Sequence, residues 1–309
     1  MDTSMANQAA SLNSPSFGSH SLRIPAGLCR KRTMRIWQDK ILMSLILLAT
    51  AATFSMLAWI LWHIVSNGIR YVDWNFLTSG YSRMAVVSGI WPMIVSTLYM
   101  VALSLLIALP AGIMGAIYLT EYAPAGSRTV RVIRFTTESL AGIPSIIYGL
   151  FGLTLFVTVF GFSILSGGLT LAIVILPVVI RTTEEAMISV PMAYREGSYA
   201  LGASRLYTIS RLILPNALPG IVTGIILCIG RIIGESAPVF LTAGMVARIP
   251  DSVLDSGRTL TVHLYKLTQE LFSASEWHQA YATATVLIVI VFTLNVTTRL
   301  IARWCRRIP

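Results

Sequence analysis

The stretch REGSYALGASRLYTISRLILPNALPG, Arg195 to Gly220, interrupts a chain that is otherwise apolar enough to sit in lipid. It carries Arg195, Glu196, Arg205 and Arg211, a central Gly202, and prolines at 215 and 219. Pro191, just upstream, suits the first turn of a helix, where a missing N–H costs no hydrogen bond. Gly202 permits a sharp turn that a side chain would resist. Tyr199, Ala203, Leu206 and Ser210 recur at helical spacing and form a weakly apolar stripe. Pro215 and Pro219 mark where the chain returns to the membrane. The pattern predicts a short helix lying across the membrane surface and offering a mixed face to a partner.

Composition supports a membrane setting. Of 309 residues, 55% are hydrophobic and only 12% charged, with mean hydropathy +0.73; soluble domains carry about 25% charged residues. The net charge of +10 comes without aromatic–basic interleaving, so no nucleic-acid partner is expected. Cys29, Cys228 and Cys305 lack CxxC spacing and read as isolated thiols. His63, His263 and His278 show no metal-ligand spacing, and no metal site is expected. Asn295-Val-Thr297 matches a glycosylation sequon but falls inside an apolar run.

A helix crossing a hydrocarbon core of roughly 30 Å needs about 20 residues. Six segments qualify, which predicts an all-α polytopic protein. The first is Ile41 to Ile69. The second lies near Ile90 to Tyr118. From Ser139 to Ile180 no charge occurs over 42 residues. That length predicts a third and a fourth span, with Gly161, Gly167 and Gly168 supplying the turn. The fifth runs from Pro219 to about Ala243, and the sixth from Tyr281 to Ile301. Placing the N-terminus in the cytoplasm puts seventeen Lys and Arg inside and five outside (Arg70, Arg83, Arg248, Arg258 and Lys266), with Arg231 within a span. The positive-inside rule then predicts that both termini are cytoplasmic. Residues 1–40 read as a disordered tail, 41–301 as the membrane domain with its largest internal loop at 181–216, and 302–309 as a basic tail. An apolar run of more than 20 residues is a span rather than a signal peptide.

Glu196-Gly197-Ser198, three residues, Gly202, nine residues, and then Leu212-Ile213-Leu214-Pro215 resemble the EAA loop of bacterial ABC importer permeases. Gly197 and Ser198 replace two alanines of that pattern. The resemblance implies the type I importer permease fold. It also implies that Glu196, Gly197, Ser198, Gly202, Leu212, Leu214 and Pro215 form a coupling element docking on a separate ATP-hydrolysing subunit. No P-loop exists in this chain: Lys31, Lys40 and Lys266 follow Arg30, Asp39 and Tyr265, and no Gly-Lys pair occurs. No cofactor is expected on the chain, ATP and Mg belonging to the partner ATPase.

Three further stretches, AIYLTEYAPAG (116–126), LAGIPSIIYGLFGL (140–153) and IGRIIGESAP (229–238), are similar to the phosphate-specific importer permeases, more to the PstA-type subunit than to the PstC-type. This resemblance implies a homologous PstC-type permease, a dimer of ATP-binding subunits, an extracytoplasmic phosphate-binding protein, inorganic phosphate as cargo, and a bacterial plasma membrane whose lipid surrounds the spans. Another oxyanion, molybdate or sulfate, and a membrane scaffold or sensor of phosphate status remain open as alternatives.

Arg231 and Glu235 are four residues apart on the fifth span and so share a helix face. Such charges do not face lipid. Arginine suits an oxyanion path because its planar donors match phosphate oxygens. A buried pair that only locks packing is the competing reading. Gly230 and Gly234 form a step that lets another helix approach, and Gly234 with Pro238 suggests a break facing a cavity. Pro144, Ser145 and Tyr148 are candidates to line the same path or to pack helices.

Overall fold

The computed structural model describes residues 26–82, 88–124, 126–269 and 274–305. The tail before Ala26, Arg83, Arg306 and Arg307 lie outside the described residues. Among those described, the chain is helical and contains no strand. By its contacts it divides at Ile60 into two units. The first consists of the long helix α1 (Ala26–Gly68) up to that point, whose side chains from Trp37 are exposed all round. Helix α1 begins inside the segment expected to be a disordered tail.

In the second unit, a 3₁₀ turn (Ile69–Tyr71) and the short α2 (Trp74–Thr78) lead to α3 (Trp91–Ile117). Helix α3 ends in a π-turn, Tyr118–Tyr122, in which Ala123 N donates to Tyr118 O at 2.9 Å. There follow α4 (Arg128–Ala141), α5 (Ser145–Gly152) and, after a second π-turn (Leu153–Val157), α6 (Thr158–Phe160). Then come α7 (Ile164–Ile188), α8 (Met192–Ala200) and α9 (Arg205–Thr208). A third π-turn (Ile209–Ile213) joins α9 to α10 (Leu214–Gly234). The chain closes with α11 (Ala237–Thr242), α12 (Leu260–Gln269) and α13 (Ala274–Cys305).

Five segments among the described residues are long and apolar enough to span a membrane: Trp37–Tyr71, Trp91–Tyr122, Ile164–Ile188, Arg205–Gly234 and Glu276–Leu300. A sixth is the pair Arg128–Ala141 and Ser145–Phe160, bent by 99°. Six spans are therefore present when that pair counts as one. The bend corrects the expected third span: helix restarts only at Ser145, because Pro144 disfavours helix in the residue before it. Gly161, at φ +68°, makes the turn into α7. Gly167 and Gly168, expected to share that turn, instead lie buried inside α7, where a Cβ would strike Met100 and Leu103 of α3.

Helices α3 and α7 pack along their length. Gly112 allows this closeness, since a Cβ there would run into Val179. Helix α10 also packs on α7, where Gly224 faces Thr182. Met100, Ala108, Leu171, Ile175, Cys228 and Ile232 fill the shared core. Pro110, Pro177 and Pro219 sit within helices without ending them, as packed neighbours permit in membrane proteins. At one end of α7 the segment after α11 folds back over its first turn: Ile164 N donates to Asp255 O and Leu165 N to Val253 O, both at 2.8 Å. Those bonds satisfy donors that a helix start leaves free.

Candidate functional site

The decisive loop is shorter than expected, because α7 runs on to Ile188 and takes residues 181–188 into helix. Pro191 caps α8 at φ −55°. The helix ends in a Schellman turn: Gly202 N donates to Tyr199 O (3.0 Å) and Ala203 N to Ser198 O (3.1 Å). This requires the left-handed conformation at Gly202, whose φ is +80°. Two residues later the Ser204 hydroxyl caps α9 by accepting from Tyr207 N at 3.3 Å. The turn corrects the predicted single stripe, because Tyr199 and Leu206 lie on separate helices. Ser198 and Thr208 close the α8–α9 pair, their hydroxyls 2.8 Å apart and buried.

The outer face of this unit is open and partly apolar. Leu201 is 90% exposed, and Tyr194, Leu206 and Tyr207 are exposed with it. Glu196 and Gly197 are also exposed, and no Glu196 ion pair occurs among the described residues. Gly197, Ser198, Gly202 and Leu212 line one hollow of about 960 Å³ with Tyr207 and Arg211. Leu214 and Pro215 do not join them. Leu214 is half-buried against the cluster of Ile209, Ile213 and Ala217, and Pro215 is exposed in the first turn of α10.

The unit is anchored by residues to which sequence reasoning gave no site role. Arg195, a neighbour of Glu196, points inward and is buried. Its Nε and Nη2 donate to Glu121 Oε1 at 3.2 and 2.8 Å. Nη1 reaches Val190 O at 2.8 Å and Nη2 also reaches Met187 O at 2.9 Å. From α9, Arg205 stacks over the Tyr122 ring with its guanidinium carbon 5.1 Å from the centroid. Glu121 and Tyr122 belong to the π-turn ending α3. The available signal was a charged residue, Glu121, at the edge of an apolar run.

Arg231 and Glu235 lie at the far end of α10, about 25 Å along the axis from Leu214 at 1.5 Å per residue. They are not on one helix face as expected. Helix ends at Gly234, and Glu235 is extended (φ −76°, ψ 120°), with its carboxylate reaching back to within 3.6 Å of Arg231 Nε. The expected break at Gly234 is present, and α11 restarts beyond it. A Cβ on Gly230 or Gly234 would meet nothing within 4 Å, so no helix of this chain uses that step among the described residues. The Tyr148 hydroxyl donates to Leu140 O at 2.6 Å, fastening α5 to the end of α4 rather than facing free space.

A family model for the "Binding-protein-dependent transport system inner membrane component" matches residues 108–307. The chain belongs to that family. Members are permease subunits of ABC importers, and the chain is accordingly a multi-pass membrane permease subunit and not an enzyme. It is similar to the "Probable ABC transporter permease protein YqgI" of Bacillus subtilis (strain 168), at 32% identity over 281 residues, covering 86% of this chain and 94% of that protein. It is 35% identical over 264 residues to the "Phosphate transport system permease protein PstA 1" of Mycobacterium tuberculosis (strain H37Rv), covering 82% and 84%. Its fold matches a chain of a bacterial alginate ABC transporter crystallised with an alginate-bound periplasmic protein. The TM-score is 0.64 at 16% identity, covering 89% of this chain and 98% of that one. The matched residues include α7, the α8–α9 unit and all of α10.

Proposed function

We propose that this chain is one of two homologous permease subunits enclosing the path of an ATP-driven phosphate importer in a bacterial plasma membrane. The PstC-type subunit is the other half. A dimer of ATP-binding subunits, carrying ATP and Mg, docks from the cytoplasm, and an extracytoplasmic binding protein delivers inorganic phosphate. Both termini are cytoplasmic, which places the α8–α9 unit on the ATPase side.

The observation that carries the reading is the open face at the Gly202 turn. It presents Leu201, Tyr207 and Glu196, which has no ion pair among the described residues, on a frame held by the Ser198–Thr208 contact and the Schellman turn. An exposed apolar patch rimmed by polar groups marks an interaction surface. Glu196, Gly197, Ser198, Gly202 and Leu212 are assigned to this contact or its frame. Leu214 and Pro215 hold the approach of α10. Arg231, one-third exposed beside open space at Gly230 and Gly234, attracts the anion from the half of the path this chain supplies, and Glu235 balances its charge. Alternating access follows from rigid-body movement of the two permeases as the ATPases close.

Uptake of labelled phosphate by proteoliposomes holding the assembled complex tests this function. Uptake that requires ATP and binding protein and resists excess sulfate and molybdate is expected. Inhibition by either anion at equal concentration would assign another cargo.

A further inference from the structure

The sole side-chain ion pair joining the α8–α9 unit to another helix among the described residues is Arg195 with Glu121. Its partners are 74 residues apart in sequence and have side chains only 11% and 5% exposed. A single guanidinium joins three segments here. It holds Glu121 in the π-turn that ends α3, takes the carbonyls of Met187 in the last turn of α7 and of Val190 in the link beyond it, and belongs to α8. The planar fork of arginine fixes direction as well as distance in such an arrangement. By contrast, the Ser198–Thr208 contact lies within the unit and ties it to nothing else. The Arg205–Tyr122 stack is on the exposed side. A second connection runs through α9 and the π-turn Ile209–Ile213 into α10. Without Arg195, α8 would hold to α3 and α7 mainly through the short link 189–191.

The node also sits where movement can spread. Helices α3 and α7 interlock through Gly112 and Gly168, and α10, with Arg231 at its far end, rests on α7. A π-turn such as Tyr118–Tyr122 is a local irregularity often found where a helix does work.

We propose that Arg195 and Glu121 are the positioning residues that carry displacement of the α8–α9 unit into the α3–α7 pair, so that coupling of ATP hydrolysis to permeation depends on them. The proposal rests on the reading of α8–α9 as the ATPase contact. Neither residue belongs to the exposed contact face.

The test uses the assembled complex with wild type, the apolar double variant Glu121→Leu with Arg195→Met, and Arg195→Lys. The double variant leaves no buried charge unpaired. It is expected to retain the ATPase and its basal hydrolysis. Stimulation by phosphate-loaded binding protein, and phosphate imported per ATP, should each fall about tenfold, the usual size of a coupling term. Wild-type stimulation and import in the double variant would overturn the proposal and leave the pair as packing. Should the double variant fail to assemble, Arg195→Lys decides. Lysine keeps the charge but cannot reach Glu121 and both carbonyls together, so import per ATP should fall with assembly intact. Import per ATP equal to wild type would overturn the proposal. Absence of ATPase from the wild-type complex would instead overturn the docking assignment.

Discussion

Glu235 Oε1 lies 3.6 Å from Arg231 Nε across the end of α10, one residue beyond the last helical turn. The carboxylate reaches its partner because the backbone turns extended at Glu235, not because the two share a helix face. This gap is too long for a hydrogen bond, so Glu235 leaves the Nε donor of Arg231 unoccupied. The arginine is 32% and the glutamate 14% exposed.

Paired substitutions separate path from packing. Removing one member of a buried pair costs about 3–5 kcal/mol, an upper bound here given the exposure of Arg231. A purely structural pair would let Arg231→Gln with Glu235→Gln recover what each single change loses. If Arg231 lines the path, the double variant is expected to assemble and hydrolyse ATP yet import no phosphate. Uptake normalised to assembled complex, for wild type, both singles and the double, checks this. Recovered uptake in the double variant would leave Arg231 as a packing residue.

Gly202 yields a graded series. At φ +80° with nothing within 4 Å of a Cβ position, a substitution there is opposed by backbone conformation and not by a neighbour. Non-glycine residues in the left-handed region cost about 1–2 kcal/mol, and asparagine tolerates it best. Gly202→Asn is therefore expected to retain more ATPase than Gly202→Ala, and Gly202→Val least, with membrane insertion equal in all three. Co-purified ATPase per permease is the measurement; equal retention by the valine variant would mean that the Schellman turn does not shape the contact.

His263, at the start of α12, is buried beneath Arg258, whose Nη1 lies 3.2 Å from its Nδ1. Burial, then the charges of Arg258 and Lys266, hold its pKa down at about 3. An unfolded histidine titrates near 6.5. Between those values the unfolded chain binds a proton that the folded chain refuses. The stabilisation is therefore complete above about pH 6.5 and declines as pH falls toward 3, by at most about 1.4 kcal/mol per pH unit. His263→Gln is expected to lose less of its thermal midpoint between pH 7.5 and 5.5 than wild type does. Parallel declines would show that His263 stays charged or exposed.

Much of this was legible because it is local. Apolar runs located the spans, and Gly202 marked the turn, though the Ser204 cap that follows it was not read from the sequence. Gly167 and Gly168 misled because a glycine that admits a neighbouring helix looks, in sequence, like one that makes a turn. The bend before Ser145 was signalled by Pro144, but the unbroken apolar run hid it. Glu235 was placed by periodicity that the backbone abandons one residue earlier. The Arg195–Glu121 node was invisible for a different reason. Its members are 74 positions apart, and no periodicity relates them. Arg195 was read only as a topological charge.

The proposed function makes the Gly202 turn the surface on which the ATPase sits. Leu201 is its most exposed residue at 90%, and a cysteine placed there, with Cys29, Cys228 and Cys305 replaced, tests it directly. Labelling of that cysteine by a membrane-impermeant maleimide is measured in inside-out vesicles, with and without the ATPase subunits. Rapid labelling in the bare permease pair, strong protection once the ATPase is bound, and no labelling in intact cells are expected. Equal labelling with and without the ATPase, or labelling from the outside of intact cells, would contradict it.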